Sequence, residues 1–219
     1  MHYFNSTNRY TLQVIASPTT LSTLKAAINA GADCSSYIGY QVNSSGAIGT
    51  TVSGTHIGYV ACVFSDYLYV DYDFQDSRIL VIAKSDAGTG LKWGSSGTNR
   101  NVSATRRKCY GYDNTNSLQA LGQSAHPAAY AAWNYSATVL SGGSHWFQPT
   151  KWQMEIILDG FDSNSYTTLF NMSGVYSLSN ETDGIYCSTL NTGMSLKAGL
   201  QDWTYNKESN LNVRSCFVY

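Results

Sequence analysis

The chain has 219 residues, a formal net charge of -1 and only 12% charged side chains, about half of the ~25% usual for globular proteins. It has no basic run or Lys/Arg stripe, which excludes nucleic-acid binding driven by bulk electrostatics, and no stretch approaches the ~20 apolar residues that a membrane-spanning helix needs. The length fits one large domain or one domain with a small appendage, residues 1–35 being an N-terminal strand and helix and residues 36–219 the main domain.

In chain order, "RYTLQVIAS" alternates as a first strand. "SPTTLSTLKAAINAG" carries helix punctuation, with Ser17 as N-cap, Pro18 at the first helical position and Gly31 as the stop. Its Leu21, Leu24 and Ile28 follow a helical period. From Tyr37 to Ala83 the pattern is β: "SYIGYQV", "HIGYVACVF", "YLYVDYDF" and "RILVIAK" are short β-branched and aromatic runs between Gly, Ser and Asp. "DAGTGLKWGSSGTNRN" is a Gly/Ser loop around a buried Trp93, and "DNTNSLQALG" and "AHPAAYAAW" are two short helices. The strongest local signal is "PTKWQMEIILDGF". Thr150 and Gln153 have the spacing of a capping box, and Met154, Ile157, Leu158 and Phe161 form a core-facing stripe. Turn signals at Gly174, Gly184, Gly193 and Gly199 break the rest into loops and short strands, ending in "VRSCFVY". The class is α+β and loop-rich.

Candidate chemistry is sparse. Asp71, Asp73 and Asp76 in "VDYDFQD" offer paired carboxylates, although a solvated strand face explains them as well. G-x-S-x-G, G-x-x-x-x-G-K-[ST] and G-x-G-x-x-G are absent, so hydrolase and nucleotide chemistry have no motif to rest on. The five cysteines and four histidines show no metal-ligand spacing, and no metal or cofactor is expected. His145 is the best lone histidine, with packing beside Trp146 as its simpler role. The first residues show no signal-peptide pattern. Catalysis needs convergent titratable groups, whereas recognition needs a scaffold with exposed aromatic, amide and hydroxyl groups. The 17 tyrosines suit that task, as they also suit half-buried strands. The expected function is binding.

"HWFQPTKWQMEIILDGF", "GIYCST" and "NLNVRSCFVY" together resemble bacterial and phage C-type-lectin-fold domains. In those domains a W-x-x-P-[ST] helix start precedes a Y-W-S-S-T-like strand, and the last strand contains V-R. The resemblance extends over residues 36–219 through "HIGYVACVF", "RILVIAKSDAGTGLKWG", "GYDNTNSLQALG" and "HPAAYAAWNY". Cys187 stands where the family usually has Trp, and Gln148 where Leu is common. Several members are variable proteins of diversity-generating retroelements, in which adenine-directed mutagenesis rewrites a C-terminal binding surface.

The resemblance implies a C-type-lectin-like fold whose C-terminal segment displays ligand-binding side chains. Carried over position by position, these are Tyr186, Cys187, Leu190, Asn191, Thr192, Met194, Gln201, Trp203, Tyr205, Asn206, Asn210 and Asn212. Trp203 and Tyr205 are the aromatic anchors and the Asn side chains the adaptable contacts, while Val213, Arg214 and Phe217 belong to the scaffold. The implied partner is a protein or cell-surface receptor, met at a phage tail tip or on a bacterial surface. No nucleic acid or membrane insertion is involved, and avidity favours a homo-oligomer. The alternatives are a formylglycine-generating type of modifying enzyme on the same fold, with Cys187 or Cys216 as reactive thiol, and a fixed adhesin or structural subunit. Calcium-dependent sugar binding is disfavoured, because "WTYN" replaces the family's Trp-Asn-Asp triplet and "QPT" sits at a helix start.

Overall fold

A computed structural model describes residues 17–64, 77–102, 111–135, 139–159, 165–192 and 204–219. The segment "YLYVDYDF", its acidic residues Asp71, Asp73 and Asp76, the first strand "RYTLQVIAS" and Phe161 lie outside these residues.

Helix α1, Leu21–Asn29, begins three residues later than its Ser-Pro signal predicts. Its N-cap is Thr20, which exchanges hydrogen bonds with Thr23: Thr23 N–H donates to Thr20 Oγ1 at 3.1 Å, and Thr20 N–H donates to Thr23 Oγ1 at 3.0 Å. The physical reason is tertiary. Ile48 N–H donates to Thr19 O and Leu21 N–H to Gly46 O, both at 2.9 Å, so the residues before the helix run extended along the hairpin of β1, Gln41–Asn43, and β2, Ile48–Gly49. At the other end Gly31 takes φ +83°, as a left-handed helix stop requires. "SYIGYQV" is only partly strand: Ser35–Tyr37 makes a single 3₁₀ turn before β1.

β3, His56–Val63, and β4, Ile79–Ala83, form the middle of a first sheet with order β10-β4-β3-β1-β2, in which β10 is Cys216–Val218. Every residue of β4 is buried, because the strand has cover on both faces. Ile79, Val81 and Ala83 face Leu21, Leu24 and Ile28 of α1, and β10 sends Phe217 to the same side. Leu80 and Ile82, with Cys216 and Val218 of β10, face the opposite cluster. The strands approach closely at Gly58, where a Cβ would collide with the Ile82 carbonyl oxygen.

The second cluster is completed by α4, Lys151–Asp159, through Met154, Ile157 and Leu158. The expected capping box is present: Gln153 N–H donates to Thr150 Oγ1 at 3.1 Å, and Thr150 N–H donates to Gln153 Oε1 at 2.9 Å. Asn180 adds a third cap, accepting from Lys151 N–H at 2.6 Å. Gln148, fully buried, sends its amide nitrogen to Ser177 O at 2.7 Å and Ser177 Oγ at 2.8 Å, which satisfies the donor half of an amide standing where the resemblance has Leu. Thr150→Ala removes one of these caps and is expected to cost about 1 kcal/mol, read as a lower urea midpoint with an unchanged slope.

Asn180 and Ser177 lie on β6, Val175–Glu181, the centre of a second sheet with order β5-β9-β6-β7-β8. Its other strands are β5, Gly88–Leu91, which forms inside the predicted Gly/Ser loop, β7, Tyr186–Asn191, β8, Thr204–Asn206, and β9, Leu211–Val213. Helix α5, Ser165–Leu169, precedes it, while α2, Gly111–Gln119, and α3, Pro127–Trp133, form where sequence predicts short helices. One face of this sheet gives Tyr176, Leu178 and Leu190 to the core with α4. The other packs Cys187 and Leu211 with Trp93, Leu118 of α2 and Ala129 of α3. The architecture is thus α+β, with two five-stranded sheets and five short helices among the described residues. None of those helices is long and apolar enough to cross a membrane.

Candidate ligand-binding site

Three connections meet at one end of the second sheet: the 92–102 segment after β5, the β6–β7 turn, and the turn after β8. They are held by a buried ion pair. Lys207 donates from Nζ to Glu181 Oε1, with the two side chains 0% and 3% exposed. Both charges have further partners. Nζ also donates to Thr98 O at 2.9 Å and lies 4.9 Å from the Trp93 ring centre. The Glu181 carboxylate accepts from Arg100 N–H at 2.9 Å on each oxygen. Backbone bonds complete the tie: Trp93 N–H and Gly94 N–H donate to Lys207 O, Lys207 N–H to Ile185 O, and Gly97 N–H to Gly184 O. Trp93, 1% exposed, sends its indole N–H to Leu178 O at 2.9 Å. A buried pair with these further hydrogen bonds fixes the relative position of the segments that carry it.

Above this support lies a cleft of about 220 Å³, lined by Asn99, Asn101, Val102, Glu181, Thr182 and Asp183. Asn101 holds φ +56° and donates its N–H to Asn99 Oδ1 at 2.8 Å, a side-chain-closed turn that presents two amides side by side. Asp183 accepts from Ile185 N–H at 2.7 Å and Tyr186 N–H at 2.8 Å, and these bonds hold its carboxyl below the ordinary carboxylate range. Beside it Ile185 and Tyr186 stand 44% and 41% exposed. Amides, a hydroxyl and an ionised carboxylate flanked by an exposed apolar pair form a recognition surface, able to hydrogen-bond a polar ligand and bury its apolar face.

The expected binding residues divide by strand facing. Across β7 and β8 the register pairs Tyr186 with Asn206, Cys187 with Tyr205, and Ser188 with Thr204. Tyr186 is exposed, and Asn206, half-buried, shares its side of the ladder; Asn210 is exposed in the following turn. Cys187 is fully buried against Trp93 and Leu211, and its pair mate Tyr205, half-buried, packs against the same cluster. Cys187 therefore belongs to the core and not to the displayed surface, and Tyr205 is directed inward rather than outward. Leu190 is likewise a core residue, 3% exposed under α4. Thr192 is buried and gives its hydroxyl to Gly174 O at 3.0 Å. Asn191 is half-buried at the end of β7, and Asn212, also half-buried, spends its amide on Ser173 O at 3.0 Å. Met194, Gln201 and Trp203 lie outside the described residues. Val213, Arg214 and Phe217 are buried, as expected of scaffold.

The cleft residues were missed. "TNRN" and "ETDGIY" both carry the Asx-turn chemistry that displays side chains, but nothing local says that residues about eighty positions apart share one rim. His145 stacks on Trp133 of α3 at 4.3 Å and 7°, a contact the sequence does not indicate. The four cysteines among the described residues are free thiols. Burial pushes the Cys62 and Cys187 thiols up to about 12.

No family model matches the chain, and no curated protein is detectably similar in sequence. Among solved structures, a fimbrial protein from Bacteroides ovatus ATCC 8483 shares the fold, with a TM-score of 0.58 at 12% identity. The match covers 83% of this chain and 48% of the fimbrial protein, so this chain corresponds to about half of that molecule.

Proposed function

We propose that this chain is the ligand-binding part of a surface-displayed, adhesin-type protein, built on a C-type-lectin-like scaffold and acting through the exposed end of its second sheet. The observation that carries this reading is the contrast at that end: a buried ion pair and Trp93 form a fixed base, while Asn99, Asn101 and Asp183 line the cleft above it and Ile185 and Tyr186 stand exposed beside it, with half-buried Asn206 across the ladder from Tyr186. The likeness in fold to a fimbrial protein supports a bacterial-surface setting. The lectin-like assignment draws support from where the quoted motifs fall, at the capped start of α4, on β7 and on β9–β10. A buried thiol with an ordinary-pH population that is almost entirely protonated supports a binding role over thiol chemistry at Cys187.

The test is adhesion of the purified, labelled protein to panels of whole bacterial and epithelial cells. Tyr186→Ala combined with Asn206→Ala is expected to weaken adhesion at least about tenfold, the size of loss expected at a recognition centre, with the melting temperature unchanged. Undiminished adhesion by this variant would remove the surface from consideration. The finer proposal, diversification by a retroelement, is tested by sequencing the locus for a near-copy of the 3′ end that differs mainly at adenines. Its absence leaves a fixed adhesin.

A further inference from the structure

We infer that His126 is an acid-sensitive latch beneath the cleft, and that protonating its ring frees the 92–102 segment from its support on Lys207 and Glu181. This regulation rests on the reading of the cleft as a binding site, and the latch itself is measurable without a ligand.

His126 sits at the N-terminus of α3 and is 1% exposed, yet its side chain does not cap the helix. Its Nδ1 lies 2.9 Å from Trp93 O, a bond in which Nδ1–H donates, and its Nε2 has no hydrogen-bond partner. The ring is therefore a neutral tautomer with a bare, buried lone pair. A proton added there creates an N–H without an acceptor and a charge without solvent, each costly in a protein interior. The surrounding charges do not welcome it. Arg100 of the 92–102 segment and Lys207 after β8 repel it, and only Glu181 at the end of β6, already engaged by Lys207 and Arg100 N–H, attracts it. The N-terminal end of α3 adds an unfavourable partial charge of its own.

The ring cannot turn away in place. It meets the Trp93 ring edge-on at 5.2 Å and 88°, and Gly94 is so close that a Cβ there would lie 2.7 Å from the ring. Relief requires residues 92–94 to move, and these are the residues whose N–H groups hold the segment to Lys207 O. Desolvation by burial, with Arg100 and Lys207 adding to it and the Trp93 bond opposing it, holds the His126 pKa below its ordinary value. The opened segment exposes the ring and takes up a proton at about the ordinary ~6.5. The open form thus binds more protons than the closed form, so closure weakens as pH falls below ~6.5.

The experiment is amide hydrogen exchange on the full chain between about pH 7 and about pH 5, corrected for intrinsic chemistry, which brackets the histidine range. In the native protein the opening of the Trp93, Gly94, Gly97 and Arg100 amides is expected to rise as pH falls, by up to about tenfold per pH unit for uptake of a single proton, while Val60 and Ala83 in the first sheet do not change. In His126→Gln the same amides show no pH response. A native protein with pH-independent exchange at these four amides, or an unchanged response in His126→Gln, overturns the latch. If the variant does not fold, the ring's own titration by NMR in the native protein decides. A midpoint coincident with loss of protection supports the latch, and a ring still neutral when protection has gone refutes it. Failed adhesion in the cell assay would leave these exchange results intact, and flat exchange would leave the adhesion result intact.

Discussion

Arg214→Met is expected to lower the stability of the fold by about 3–5 kcal/mol, the range for removing one member of a buried charge network. The guanidinium, 2% exposed, donates to four acceptors from two segments of the chain, residues 83–86 and 170–171. Nη1 reaches Ala83 O at 2.8 Å and Phe170 O at 3.1 Å, Nη2 reaches Asn171 O at 2.8 Å, and Nε reaches Asp86 Oδ1 at 2.8 Å. It thereby caps the end of α5, where Asn171 takes φ +50°, and ties that helix to the end of β4. The Tyr176 ring lies 5.9 Å away, and its hydroxyl donates to Asp86 Oδ2 at 3.4 Å. Methionine fills much of the volume but takes the guanidinium's donors away from three carbonyls and from the Asp86 carboxylate. Arg214→Lys is expected to recover only part of the loss, because a single ammonium cannot reproduce a planar fork of donors. For a chain of this length the loss corresponds to a fall in melting temperature on the order of 10 °C. A change of less than about 1 kcal/mol in urea unfolding would show that the cluster is not a structural centre.

The second large effect is expected at Lys207. Lys207→Met strands the Glu181 carboxylate in a site where both side chains are almost wholly buried, at a cost of about 3–5 kcal/mol. Part of this cost appears locally: Arg100 N–H and Thr98 O lose the geometry that holds the cleft segment, so adhesion falls together with stability. The double variant Lys207→Met with Glu181→Leu is expected to regain most of the global stability, since replacing a whole buried pair with apolar groups is often close to neutral. It is not expected to regain adhesion, because Arg100 N–H and Thr98 O then have no charged partner. A double-mutant cycle separates the two contributions. A loss in the double variant equal to the sum of the losses in Lys207→Met and Glu181→Leu alone would mean that the pair carries no coupling.

These two clusters explain how a chain with so few charged residues uses some of them. Arg78, Lys151, Glu155, Glu181, Lys207 and Arg214 are all buried, an unusual fate for such side chains, which are seldom fully buried unless paired. Apart from Arg214, nothing in the sequence marks them for burial. Their partners are distant: Arg214 finds Asp86 from 128 positions away, and Lys207 finds Glu181 from 26. No local pattern encodes such a pairing.

The sequence by itself determined what depends on near neighbours. The capping box and apolar stripe of α4 were legible because a helix couples residues three and four apart. The strand character of "RILVIAK" was legible from its β-branched run between turn residues, while the scaffold role of Val213, Arg214 and Phe217 is what the resemblance of "NLNVRSCFVY" implies. Tertiary structure decided the rest. The start of α1 moved to Thr20 because a hairpin captured the preceding backbone, overriding a good Ser-Pro signal. Which of Tyr186, Cys187, Tyr205 and Asn206 face outward depends on the register of β7 against β8, and strands this short carry too few residues to announce their facing. The cleft was beyond reach for the same reason. Its rim is assembled from segments about eighty residues apart, joined by the Arg100 N–H bonds to Glu181 and the Lys207 bond to Thr98 O, which exist only once the chain has folded.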